Sequence, residues 1–178
     1  KINLKKKHNL NQEIKGIRNL INHQRNNGSF DEWYINENSF CASAYAGYYL
    51  SKLNYQIDGG NYMIKKSLKR LNNFLKSRSC KTNLNQELAK FAFQFYLLKK
   101  YNKKSLQQLL KRTLHPDTYE YDGIDLGYLS VNLMILSDLL TIKFNNTLYK
   151  IFSIHLQQFS HLTNKFSDFS NYIFSRSS

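Results

Sequence analysis

The chain is poor in cysteine and proline, and this excludes several classes of protein. It has 178 residues with two cysteines and one proline. Cys41 and Cys80 are too few for a disulfide framework and show no metal-ligand spacing. Because Cys41 lies in an apolar helical pattern, we expect a buried free thiol and a reducing, cytoplasmic compartment. The histidines show no metal-ligand spacing either, so we expect no metal and no other cofactor.

Long apolar runs are lacking as well. The longest apolar segment, residues 126–142, is interrupted by polar residues between positions 130 and 138. We therefore expect a buried helix there and no membrane span. The basic start, residues 1–8, is not followed by the apolar region of a signal peptide. The chain begins without Met, which is consistent with a fragment of a longer protein.

What the chain does have is helical periodicity. Its hydrophobic content of 42% is enough for a single folded domain over residues 1–178. Strand patterns are weak, whereas apolar residues recur at spacings of three and four, as in Ile64, Leu68 and Leu71. The sequence therefore predicts an all-α fold. We predict seven helices, at about residues 11–24, 38–54, 60–77, 85–101, 104–114, 126–142 and 146–164.

The predicted helices alternate between two kinds. The first, third, fifth and seventh carry one apolar stripe, whereas the second, fourth and sixth are apolar nearly all round and should be interior. An outer helix followed by an inner helix, repeated, builds antiparallel hairpins whose closure is an α/α toroid. Seven helices make a partial toroid. The connections that precede the three inner helices should then share one end of the array.

Acidic residues are scarce and unevenly placed. The net charge is +14, and seven of the twelve Asp and Glu lie in two aromatic loops, Phe30–Tyr34 with its continuation to Glu37, and Asp117–Asp125. Both loops precede inner helices. We therefore expect them to meet at one end of the array and to form the candidate site, since loops on a rigid scaffold commonly carry function.

Carboxylates and aromatic rings together suit a sugar, because carboxylates accept hydrogen bonds from hydroxyls and rings offer flat apolar faces. Paired carboxylates could act as acid and base, a tyrosine could remove a proton from a sugar carbon, and a histidine could transfer a proton. The candidate catalytic residues are Glu32, Tyr34, Glu120, Tyr121 and His115. The candidate substrate-binding residues are Trp33, Asn36, Glu37, Asn85, Gln86, Asp122, Asp125 and Tyr128.

Structural roles compete with these assignments. Asn38, Ser39, Asn85 and Asp125 precede or begin inner helices, where such residues commonly cap the helix. Trp33 could equally plug its loop onto the core. A lone histidine is more often structural than catalytic. Capping does not account for Glu32, which we place in the centre of its loop.

The basic residues indicate a solvated surface rather than a nucleic-acid motif. Most lysines fall on outer helices or at the end away from the acidic loops. Arg78, Lys81 and Arg176 are expected nearer the acidic loops and could attract an anionic polymer, although no nucleic-acid-binding motif accompanies them.

Two patterns resemble known α/α toroids. The pattern Gln24-x-x-x-Gly28-Ser-Phe30 is similar to the Gln/Trp repeat of terpenoid cyclases and prenyltransferases, with Phe in place of Trp, and that repeat is structural. The acidic Asp-x-Asp-Asp motif of the cyclases is absent. A terpenoid activity would instead need a deep apolar chamber.

The longer pattern from residue 15 to 140 more closely resembles toroid proteins associated with surface-polysaccharide biosynthesis. It includes Asn85-Gln-Glu-Leu88 and Glu120-Tyr-Asp-Gly-Ile-Asp-Leu-Gly-Tyr-Leu-Ser130. These proteins are akin to the toroid domains of heparinase II/III-like lyases and uronate epimerases. The resemblance implies an oligosaccharide or polysaccharide partner and a lyase, epimerase or hydrolase-like activity. A non-enzymatic module that grips another protein is the alternative.

Overall fold

The protein is all-α, as predicted. The computed structural model describes residues 15–32, 39–56, 62–79, 83–115 and 126–165. Every regular element in these ranges is a helix. After an N-terminal helical segment at residues 15–22 come α1 (Phe40–Gln56), α2 (Tyr62–Lys76), α3 (Leu84–Leu98), α4 (Lys103–Leu114), α5 (Leu126–Ile142) and α6 (Asn146–Lys165).

The helix bounds lie close to those predicted from periodicity, and the main difference is the end of α3. The sequence predicts helix to about residue 101, whereas α3 ends at Leu98. Lys99 adopts a left-handed conformation with φ of 56° and donates its N–H to the Phe95 carbonyl over 2.7 Å. A left-handed residue cannot continue a right-handed helix, so the chain turns here.

The chain forms two compact units, Lys1–Arg78 and Ser79–Ser178. In the first unit α1 packs against α2. Its buried side chains include Tyr48 and Leu50 on α1, and Ile64 and Leu71 on α2. Small residues of α1, among them Ala44, are also buried, which lets neighbouring groups approach its backbone closely.

A tight turn after the N-terminal segment is fixed by the amide of Gln24, which is only 8% exposed. Its Nε2 donates to the carbonyl oxygens of Gly28 (3.0 Å) and Ser67 (3.1 Å). Its Oε1 accepts from Arg70 Nη2 over 2.7 Å. Because Ser67 and Arg70 belong to α2, this one side chain joins the turn to the helix that follows much later in the chain.

Gly28 is required by the same turn. Its φ is +93°, and a Cβ at this position would lie 2.3 Å from the carbonyl oxygen of Arg70. Glycine is the residue that adopts such a φ without strain and allows this close approach of two backbones. The Gln24-to-Gly28 pattern singled out in the sequence therefore has a structural role in this turn.

The second unit contains α3 to α6, and each of these helices packs against two others. The contacts join α3 with α4, α5 with α6, α3 with α5, and α4 with α6. This is the pairing that two adjacent helical hairpins require, with the predicted inner helices side by side and the predicted outer helices side by side. Closure of such an array into a toroid stays a prediction.

The surfaces of the predicted inner helices differ from each other. α3 is buried on most of its surface, as expected. α5 instead buries a single stripe that includes Leu129, Ile135 and Leu139, while Met134 is 40% exposed on its other face. The expectation that α5 is buried all round is therefore wrong. Cys41 on α1 is also partly exposed rather than buried.

None of the helices in the described ranges is long and apolar enough to cross a bilayer.

His155 is a buried polar side chain in the core of the second unit. It is 2% exposed and lies on the face of α6 that also buries Leu148 and Ile151. No described residue bonds its Nδ1 atom. Burial lowers the pKa of His155 from 6.5 to about 4, because the charged imidazolium is poorly solvated in the core.

We predict that Gly28→Ala destabilises the first unit by at least about 2 kcal/mol, because the added methyl group clashes with the Arg70 backbone at a strained φ. Gly16→Ala is the matched control. Gly16 is helical and a Cβ there would meet nothing within 4 Å, so alanine should stabilise by roughly 0.5–1 kcal/mol. Denaturant unfolding of both variants checks this, and equal effects would contradict the structure.

We predict that His155 makes stability fall in acid. The unfolded chain takes up a proton near pH 6.5 and the folded chain only near pH 4, so this contribution is intact above pH 6.5 and lost as the pH falls toward 4. The loss approaches about 1.4 kcal/mol per pH unit. His155→Leu should remove this slope, and His161→Gln, at an exposed position of α6, should retain it. Unfolding free energies at several pH values give the comparison; identical slopes for wild type and His155→Leu would refute it.

Candidate functional site

The first acidic-aromatic loop, residues 31–38, has both ends fixed at the start of α1. Phe30 and Ser39, which flank the loop, pair in an antiparallel bridge. The Phe30 N–H also donates to Ser43 Oγ over 2.9 Å, and the Phe30 side chain is buried. The loop therefore leaves and returns at one point of the scaffold. Its members Trp33, Tyr34, Asn36, Glu37 and Asn38 lie outside the described residues.

Ser39 caps α1, which confirms the structural interpretation of this residue. Its Oγ accepts from the Ala42 N–H over 3.1 Å, the usual hydrogen bond from the third helical residue to an N-cap. The Ser39 hydroxyl in turn donates to Glu32 Oε2 over 3.0 Å. Sequence reasoning assigned no capping role to Glu32, but the structure places its carboxylate in the capping network. The positive end of the helix dipole favours a carboxylate there.

The two acidic residues at the start of the loop have different surroundings. Asp31 Oδ2 accepts from Arg25, at 2.7 Å from Nε and 2.6 Å from Nη2. Glu32 is exposed and has no basic partner among the described residues. The charge of Asp31 is therefore compensated within the turn, whereas the carboxylate of Glu32 faces solvent and can accept hydrogen bonds from a ligand.

The predicted site residues of the second unit that the structure describes share one end of its helices. The connections 99–102 and 143–145 lie together at the opposite end, where the Tyr101 hydroxyl contacts the carbonyl oxygens of Leu139 and Lys143. The starts of α3 and α5 and the end of α4 consequently lie at the other end. This end carries Asn85, Gln86, His115 and Tyr128.

Asn85 does not cap α3, contrary to the structural interpretation of the sequence. The helix begins at Leu84, so Asn83 is its N-cap. Asn85 lies in the first turn, is 4% exposed, and its Oδ1 accepts from the Gln86 N–H over 2.9 Å. His115 is the exposed C-cap of α4. Gln86 and Tyr128 are partly exposed, and the binding roles of these residues stay predictions.

The second acidic-aromatic loop lies outside the described residues. This applies to Glu120, Tyr121, Asp122 and Asp125. The meeting of Glu32 with Glu120 therefore stays a prediction. Among the described residues, no group of three His, Cys, Asp or Glu is arranged to hold a metal ion.

Lys90, near the middle of α3, is a residue that sequence reasoning did not single out. It is half-buried, and burial lowers its pKa, an effect that the nearby carboxylate of Glu87 opposes. The available signal was a single cation within an apolar run, Leu88-Ala-Lys-Phe-Ala92. A lysine whose ammonium is partly desolvated can exchange protons more readily than an exposed one.

Comparisons with protein-family models, curated proteins and solved structures gave no significant match.

We predict that Ser39 and Glu32 act on α1 as one unit. Ser39→Ala should destabilise the fold by about 1 kcal/mol through loss of the cap. Glu32→Ala should cost less in that background than in wild type, with a coupling of roughly 0.5–1 kcal/mol. A double-mutant cycle by denaturant unfolding measures this coupling. Strictly additive effects would show that the hydrogen bond between the two side chains contributes nothing.

Proposed function

We propose that this chain is a carbohydrate-binding domain, and that loop 31–38 binds a polysaccharide or one of its biosynthetic intermediates. The observation that carries the proposal is the anchoring of this loop. The Phe30–Ser39 bridge and the capped start of α1 hold both of its ends, while the Glu32 carboxylate remains exposed. Fixing the two ends of a loop reduces the conformational freedom that is lost on binding.

The chemistry of the loop supports a sugar as ligand. Glu32 provides an exposed carboxylate, which can accept hydrogen bonds from two neighbouring hydroxyl groups. Trp33 and Tyr34 follow it directly in the sequence, and aromatic rings cover the apolar faces of sugar rings. The ion pair between Arg25 and Asp31 removes a second acidic group from this role.

The resemblance described for the sequence implies a lyase, epimerase or hydrolase-like activity. We therefore extend the proposal from binding to catalysis. Glycosidic cleavage by Glu32 and Glu120 needs a defined separation of their carboxyl groups. Elimination or epimerisation needs a base such as Tyr34 or Tyr121. Binding comes before either reaction, and it is the part of the proposal that the anchoring of the loop supports.

A non-enzymatic interaction module is the second candidate. The observation that favours it is the hydrogen bond from Ser39 to Glu32, which gives this carboxylate a structural role independent of any reaction. In that case α1 and its loop would bind a protein partner. Saturable binding of an oligosaccharide to the chain is expected of the carbohydrate-binding domain and not of the protein-interaction module.

We predict that an oligosaccharide raises the melting temperature of the chain and that Glu32→Gln weakens its binding at least about tenfold. A ligand at 100 times its Kd stabilises the folded state by about 2.7 kcal/mol. Glutamine keeps an acceptor for the Ser39 hydroxyl, so stability without ligand should change little. Thermal unfolding with neutral and uronate-containing oligosaccharides, followed by calorimetric titration, makes the measurement.

Asp138→Asn is the matched control, because it removes one carboxylate from α5 rather than from the loop. It should bind the oligosaccharide like wild type. The proposal fails if no sugar stabilises the chain, or if both variants bind equally well.

A further inference from the structure

Two connections form one end of the second unit. Tyr101, from the connection between α3 and α4, contacts the carbonyl oxygens of Leu139 and Lys143 at the end of α5. Its ring stacks on Phe95 at 4.5 Å between centroids and on Phe91 at 6.0 Å. Burial raises the pKa of Tyr101 to about 12, so the hydroxyl keeps the proton that it donates. Residues 98–104 and 143–150 are thus held together, and we call them the basic-apolar end.

Large apolar side chains are exposed at the basic-apolar end. Leu98 is 59% exposed, Phe144 64% and Tyr149 52%. Phe144 precedes Asn145 and Tyr149 lies four residues after it, and Asn145 Oδ1 accepts from the Leu148 N–H at the start of α6. Their ring centroids are 5.9 Å apart, an arrangement known as a hydrophobic staple. The staple explains why the two rings touch, but it leaves more than half of each exposed to water.

The charged side chains of the basic-apolar end are all positive. Its two segments contain no Asp or Glu. They contain six lysines, all exposed: Lys99, Lys100, Lys103, Lys104, Lys143 and Lys150. The nearest acidic residue along α5 is Asp138, more than one helical turn before Lys143. The partner that fits this end must therefore be anionic and must also accept apolar side chains.

We propose that the basic-apolar end docks on the surface of an anionic lipid bilayer. Lysine ammonium groups are attracted to anionic headgroups, while Leu98 and Phe144 have no polar atoms in their side chains and can enter the acyl boundary. Tyrosine suits the interface, because its ring is apolar and its hydroxyl is polar. This inference is independent of sugar binding, which we assign to the first unit.

Lipid fits this end better than nucleic acid. Leu98 has no ring on which a base could stack, and neither segment contains the arginine that commonly pairs with phosphates in a bidentate manner. The Phe144 and Tyr149 rings also occupy part of each other's surface. An aliphatic and a phenyl group between lysines are instead the usual composition of a segment that inserts shallowly into an interface.

The test is cosedimentation of the 178-residue chain with vesicles of phosphatidylcholine, with and without phosphatidylglycerol. We expect binding to the anionic vesicles alone, weakened by 0.5 M salt because the attraction is screened. Lys100→Ala/Lys103→Ala/Lys104→Ala should lower the partition coefficient about 100-fold at low salt. Phe144→Ser should lower it about tenfold.

Two matched controls identify the surface. Lys65→Ala/Lys66→Ala/Lys69→Ala removes the same charge from exposed positions of α2, and Met134→Ser removes an exposed apolar side chain from α5. Both should bind vesicles like wild type, and thermal unfolding should show that all four variants are folded. The proposal is overturned if anionic vesicles are not bound or if the controls lose as much binding. It is also overturned if a single-stranded oligonucleotide, but not the vesicles, binds through these lysines.

Discussion

The amide of Gln24 is the interaction on which the geometry of the first unit depends. It bonds the carbonyl oxygens of Gly28 and Ser67 and accepts from Arg70, so three of its hydrogen-bonding positions are used inside the protein. A buried amide that loses these partners is costly, because no water replaces them. Gly28 completes the arrangement by letting the turn approach the α2 backbone. The turn delivers Phe30 to Ser43 and Ser39, which fixes where loop 31–38 begins and ends.

In each unit, one side chain joins two segments that are distant in the sequence. In the first, Gln24 joins a turn to α2 across 43 residues of sequence. In the second, Tyr101 joins the connection before α4 to Lys143 in the connection after α5, across 42 residues. Each is an amphipathic side chain whose polar atoms are hydrogen-bonded to backbone carbonyl oxygens. The loop whose ends are anchored in the first unit and the basic-apolar end of the second are the two places for which we propose functions.

Much of the fold could be predicted from the sequence, because apolar spacing determines which residues form helices. What could not be predicted depends on contacts distant in sequence. Leu84 is buried and joins the apolar face of α3, which moves the cap to Asn83 and places Asn85 inside the first turn. On α5, Ser130, Ser137 and Thr141 recur at helical spacing and share their exposed face with Met134, so the sequence did indicate which side of this helix meets solvent. The candidate site was found as a loop rich in carboxylates, but the hydrogen bond of Glu32 to Ser39 required the folded chain.

The central claim is that the Gln24 amide positions the base of loop 31–38. Native-state hydrogen exchange of the Phe30 amide, which donates to Ser43 Oγ, tests it most directly. In Gln24→Met, a change that keeps the side-chain length but removes the hydrogen bonds, the account predicts that protection of Phe30 falls by at least about tenfold, while the amides of α4 and α6 keep theirs. Unchanged protection of Phe30 in a folded Gln24→Met variant would contradict the account.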